Sequence, residues 1–115
     1  MSATLYHNPR CMKSREALEL LRRQGIEPQI REYLKDPPDS ETLISLLQQL
    51  RISPRALLRT KELPYKELNL NDKNLTDQTL IEAMVQHPIL IERPIFIHQD
   101  QAVIGRPPEQ VLSIL

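Results

Sequence analysis

Cysteine is almost missing from this 115-residue chain; Cys11 is the only one. A single cysteine excludes an internal disulfide and fits a reducing compartment. It also leaves no ligand set for a structural zinc site, because His7, His87 and His98 are scattered around it. Excess charge is missing too: 15 Lys and Arg balance 15 Asp and Glu. No general field therefore draws nucleic acid or an anionic membrane, and any anion site must come from a local cluster of arginines. No apolar run is long enough to span a bilayer, and no signal-peptide pattern is present. There is no internal repeat, low-complexity tract or second-domain linker. These absences describe one cytoplasmic domain, large enough for a core.

What is present reads in order. Thr4-Leu5-Tyr6 is a short strand. Ser14 to Gln24 is a helix with Ala17, Leu18, Leu20 and Leu21 on its apolar stripe. Gly25 suits the left-handed position after the helix. Glu27 to Tyr33 is a second strand, and strand, helix, strand makes a parallel βαβ unit. Asp39 caps a helix running to about Leu50, with Leu43, Ile44, Leu46, Leu47 and Leu50 inward. Ser53-Pro54 starts a short helix, and Thr76 caps another that reaches about Gln86 with Leu80, Ile81, Met84 and Val85 inward. The tail returns to strands: Ile95 to His98, a turn at Gln99-Asp100-Gln101, then Ala102 to Ile104, an antiparallel hairpin. A last helix is expected from Glu109 to Leu115, with Val111, Leu112 and Leu115 apolar.

Cys11 falls at the first strand-to-helix turn, where a helix offers free backbone N–H groups. Those donors and the helix dipole favour a thiolate, the nucleophilic form. Arg10 and Lys13 add positive charge on either side, Ser14 can bring a hydroxyl to the sulfur, and His7 is near enough to tune it. A lone cysteine is more often a small buried hydrophobe. The Pro-Arg-Cys turn, the flanking cations and the helix start point instead to a reactive thiol.

The stretch His-Asn-Pro-Arg-Cys-Met-Lys-Ser-Arg, residues 7–15, resembles the active-site turn of the glutaredoxin-coupled arsenate reductases. Ser-Pro-Arg-Ala-Leu-Leu-Arg, Pro-Tyr-Lys-Glu-Leu, Glu-Arg-Pro-Ile and Gly-Arg-Pro match the same family downstream. The resemblance implies an α/β, thioredoxin/glutaredoxin-like mixed sheet, a parallel βαβ unit plus a C-terminal antiparallel hairpin, in a single domain over residues 1–115. A helical insertion is expected at about 39–87. It implies that Pro94 is the cis-proline facing Cys11, and that Arg59, Arg93 and Arg106 bind the oxyanion. By that match Arg55 is outside the site and is expected to be dispensable for its chemistry.

The implied chemistry is arsenate reduction. Cys11 attacks arsenic and displaces water, glutathione attacks the adduct, and glutaredoxin resolves the mixed species as arsenic(III) leaves. Glutathione is thus a co-substrate and no bound cofactor is implied. A lone cysteine agrees, because a thiol without an internal resolving partner must borrow an external one. Met12-Lys13 replaces the small Gly-Thr type pair of other members, and the chain ends at Leu115 without their longer extension, which places it near a short branch. Two other functions stay open: a glutathione-linked thiol oxidoreductase, and a non-enzymatic regulator that binds RNA polymerase. The regulator branch carries Cys-x-x-Cys, and Ser14 stands where its second cysteine belongs.

Overall fold

The computed structural model describes residues 2–115. Its elements are β1 (Ala3–Tyr6), α1 (Met12–Arg23), β2 (Gln29–Arg31), α2 (Ser40–Leu50), α3 (Pro54–Leu57), α4 (Leu63–Glu67), α5 (Asp77–Gln86), β3 (Ile95–His98) and β4 (Gln101–Ile104). Short 3-10 helices cover Pro88–Leu90 and Pro108–Ile114. Contacts divide the described chain into two units, one formed by the residues up to Asp36 with Arg93–Leu115, the other by Pro37–Glu92.

In the first unit, α1 starts two residues before the apolar pattern does. Met12 and Lys13 are exposed, so hydrophobic spacing carries no signal for that turn. Ser14, Ala17 and Leu21 are its buried positions, three and four apart as one helix face requires. Gly25, at φ 79°, ends it. The Gly25 N–H donates to the Arg22 carbonyl and the Ile26 N–H to the Leu21 carbonyl, both at 3.0 Å, so the last carbonyls are satisfied.

The sheet has the order β2-β1-β3-β4. β1 runs parallel to β2 and antiparallel to β3, and β3 and β4 form the expected hairpin. Tyr6 lies opposite both Arg31 and Ile95, and Ile95 lies opposite Ile104. Four chain segments therefore emerge at one end of the sheet: those after Tyr6, after Arg31, before Ile95 and after Ile104. β2 is shorter than expected because the chain turns after Arg31. Tyr33 is buried there and its ring stacks on Tyr6 with centroids 6.3 Å apart.

Leu5, Ala17, Leu21, Phe96 and Val111 form the inaccessible centre of this unit, ringed by Ala3, Leu18, Ile26, Val103, Leu112 and Ile114. The expected final α-helix is instead 3-10. Two prolines, Pro107 and Pro108, supply no N–H at its start. Pro108, Val111 and Ile114 face inward at every third position, the 3-10 period, and Leu112 packs beside them. Leu115, apolar though it is, is exposed.

The second unit is helical, with α2 and α3 both packed on α5. Asp39 Oδ1 accepts from the Thr42 N–H at 2.8 Å, Ser53 Oγ from Ala56 at 3.3 Å and Thr76 Oγ1 from Thr79 at 3.2 Å, so all three expected caps form. Leu43, Leu46 and Leu47 face inward from α2, whereas Ile44 is exposed; the buried stripe is narrower than the sequence suggests. Arg55 has a structural task. Its Nη1 donates to the Leu70 carbonyl and its Nη2 to the Asp72 carbonyl, each at 2.9 Å, which ties the α4–α5 connection to α3.

A hydrogen bond from a charged group contributes about 1.5–3 kcal/mol. Arg55→Ala should therefore lower the unfolding free energy by at least about 1.5 kcal/mol in urea titration. Arg55→Lys should recover only part, because a single ammonium cannot span both carbonyls as the planar fork does.

Candidate active site

Cys11 occupies the N-cap position of α1, in extended backbone conformation. Its N–H donates to the Asn8 carbonyl at 2.9 Å, and its carbonyl accepts the first helical bond, from Arg15, at 3.0 Å. The thiol is free and largely buried. No side chain caps α1, and its first turn contains no acidic residue. The contrast with the other long helices is sharp: α2 has Asp39 and Glu41, and α5 has Thr76 and Asp77. A side-chain cap contributes about 1 kcal/mol. The first N–H groups of α1 forgo that, so the positive end of its dipole stays uncompensated beside the sulfur.

The turn that carries the cysteine is held from behind. Ser14 Oγ accepts from the Asn8 N–H at 3.0 Å and lies 2.9 Å from His7 Nδ1. Ser14 is completely buried and His7 nearly so. Both of these Ser14 hydrogen bonds lock the turn onto the helix. Arg15 Nη1 adds a bond to the Pro9 carbonyl at 2.9 Å. Arg10 points outward, with its backbone N–H on Asn8 Oδ1 at 3.1 Å.

Burial pushes the His7 pKa below its ordinary value of 6.5; Glu32 opposes this, and Arg22 and Arg15 reinforce it. The ring is thus neutral at neutral pH.

Pro94 and Gly105 meet at the same end of the sheet. The Arg93–Pro94 bond is cis, and so is Arg106–Pro107. The Gly105 N–H donates to the Pro94 carbonyl at 2.8 Å. A Cβ on Gly105 would lie 2.8 Å from Pro94 Cγ and 3.0 Å from Val111 Cγ1, so only glycine permits this approach. Arg106 Nε donates to the Arg93 carbonyl at 2.9 Å, joining the two flanking arginines across the base of the hairpin. Two nitrogens of Arg93, Nε and Nη1, are buried without a hydrogen bond, while the residue makes another contact.

Arg59 belongs to the helical unit. Its Nη1 pairs with Glu62 at 2.9 Å and its Nε lies 3.7 Å from Glu92. Its N–H donates to the Leu90 carbonyl at 2.8 Å, beside the Leu58–Ile91 bridge. Among the described residues no three His, Cys, Asp or Glu side chains cluster as metal ligands.

The ArsC family profile matches residues 6–114. The chain belongs to the ArsC family. It is 48% identical to an arsenate reductase of Haemophilus influenzae over 116 residues, covering the whole of both chains. It is 54% identical over 112 residues to YfgD of Escherichia coli K12, a protein described as uncharacterized, covering 96% of this chain and 94% of that one. Among solved structures, an arsenate reductase from Vibrio cholerae superposes with a TM-score of 0.97 at 56% identity, covering 100% of this chain and 98% of that one. The fold is the thioredoxin-like mixed α/β arrangement that the sequence implies. As an ArsC chain it combines Cys11, His7, Ser14, Arg10, Pro94, Arg93 and Arg106 in its sheet-containing unit.

Sequence reasoning missed the second cis bond, the close approach at Gly105 and the two carboxylates on Arg59. Gly-Arg-Pro-Pro carried a signal for the first two, since glycine beside prolines marks constrained backbone. Glu62, three residues from Arg59, lay within local reach; Glu92 carried no signal, because a distant ion pair leaves no periodicity.

The sign of the His7 effect is testable. A folded-state pKa below 6.5 means that the unfolded chain takes up a proton first as pH falls. The contribution to stability is complete above 6.5 and is lost as pH drops from 6.5 towards the lower folded value. Between about pH 7.5 and 5.5, Tm should fall more in the wild type than in His7→Gln, read by circular dichroism; equal slopes would refute it.

Proposed function

We propose that this chain is an arsenate reductase in which the Cys11 thiolate attacks arsenic. The observation that carries this is the unfilled N-terminus of α1: Cys11 stands at a helix start with no cap and no acid in the first turn. A capping carboxylate would compete for the donors that an incoming oxyanion needs. Support also comes from the Haemophilus and Vibrio relatives, which are named arsenate reductases.

In this mechanism Arg93 and Arg106 hold arsenate oxygens through charge-assisted hydrogen bonds. Arg59 is a third contact on the strength of its sequence match. Cys11 forms the S–As bond as one arsenic-bound oxygen leaves as water. Two electrons must then reach arsenic. Two external thiols supply them and become one disulfide, so arsenate plus two thiols gives arsenite, one disulfide and water, and Cys11 is regenerated. Glutathione is the first of these thiols and glutaredoxin supplies the resolving step, because Cys11 has no partner thiol within the chain. His7 and Ser14 hold the turn, and Arg10 adds positive charge beside the thiolate. The reaction belongs to arsenic detoxification in the cytoplasm, without nucleic acid or membrane as a partner.

The test is a coupled assay with arsenate, glutathione, glutaredoxin and glutathione reductase. Wild type should turn over and Cys11→Ser should not. Arg93→Ala, Arg106→Ala and Arg59→Ala should each lower kcat/KM by roughly 10- to 100-fold, the worth of one charge-assisted bond in the transition state. Arg93→Lys should rescue only partly. Arg23→Ala, on the exposed face of α1, should have no effect. Persisting thiol–disulfide exchange without arsenate turnover would replace this function with a general thiol oxidoreductase.

A further inference from the structure

A cavity of about 380 Å³ opens beside the cysteine turn. One wall is Asn8, Pro9 and Arg10, directly preceding Cys11; the other is Glu32, Leu34 and Lys35, directly following β2. The sheet register explains why they meet, since Tyr6 and Arg31 are paired and both segments leave the sheet at that end. The volume is within the usual range of small-molecule clefts, about 300–1,000 Å³.

Its chemistry is mixed in a particular way. It presents two cations, Arg10 and Lys35, and one carboxylate, Glu32, with Leu34 and Pro9 as apolar floor. Arg10 makes no ion pair among the described residues. Lys35 Nζ is 3.6 Å from Glu32 Oε1, but the pair is exposed, so a ligand displaces it at small cost. A compact oxyanion gains nothing from Glu32, which repels it. A simple alkyl thiol makes no use of any of the three charges. A zwitterionic peptide thiol with two carboxylates and one ammonium matches them in number and sign.

We infer that this cavity seats the thiol co-substrate, a γ-glutamyl peptide thiol of the glutathione class. Its carboxylates meet Arg10 and Lys35, its ammonium meets Glu32, and its peptide lies on Leu34 and Pro9. Residues 7–10 of its lining lead directly into Cys11, so the thiol co-substrate is bound on the turn that carries the residue it must reach. This inference rests on the reductase function for its purpose, and on the cavity alone for the binding.

The experiment separates the two. S-methylglutathione, which cannot react, is titrated into isotope-labelled protein, and backbone amide shifts are followed. Saturable shifts should centre on Asn8, Arg10, Glu32 and Lys35. Lys35→Glu, which reverses a charge, should weaken binding by roughly 10-fold, and Glu32→Gln, which removes one, by roughly 3-fold. In the coupled assay, Lys35→Glu should raise KM for glutathione while leaving kcat and KM for arsenate unchanged. Absence of saturable binding in the millimolar range, shifts centred elsewhere, or an unchanged glutathione KM in Lys35→Glu would overturn the site. Binding at these residues without arsenate turnover would confirm the site and overturn the reductase function.

Discussion

The pairing of β1 on both sides is the constraint on which the site depends. Tyr6 is opposed by Arg31 and Ile95, so the cysteine turn, the 32–35 segment and the Arg93-Pro94 dipeptide are delivered to one end of the sheet. A slip of one residue would turn Leu5 and Phe96 out of the core and carry the turn away from Pro94. The position of Cys11 is thus specified by the same apolar contacts that stabilise the sheet.

At that end of the sheet, rigidity and openness are divided between residues. Ser14, His7 and Asn8 hold the turn by hydrogen bonds within the protein. The α1 terminus, in contrast, keeps its first donors unserved by any side chain. A buried neutral histidine and an uncapped helix both cost stability, the first as pH falls and the second at every pH. Both costs lie beside one sulfur, which is where a binding site differs from a structural one.

The arginines show how one residue type takes opposite roles. Arg55 places its fork on two backbone carbonyls and fastens a loop. Arg59, four residues on, has its fork set between two carboxylates, which orient the guanidinium. Arg106 ties itself to the Arg93 carbonyl. Composition treats all of them alike; the difference comes from what each planar fork finds within reach.

By itself the sequence determined the element order, the three helix caps, the Gly25 stop, the hairpin and the place of the single cysteine at a helix start. These are local: a cap, a left-handed glycine or an alternation of side chains is decided by residues within a few positions. It placed β2 too long, Ile44 inward and an α-helix at the end, because each depends on what the element packs against. Only the tertiary structure decided that Ser14 serves His7 and Asn8. Only it decided that Arg55 is structural, and that Glu32 and Lys35 share a cavity with Arg10. Those relations join residues that strand pairing and packing bring together, and hydrogen bonds and charges act across space whatever their separation along the chain.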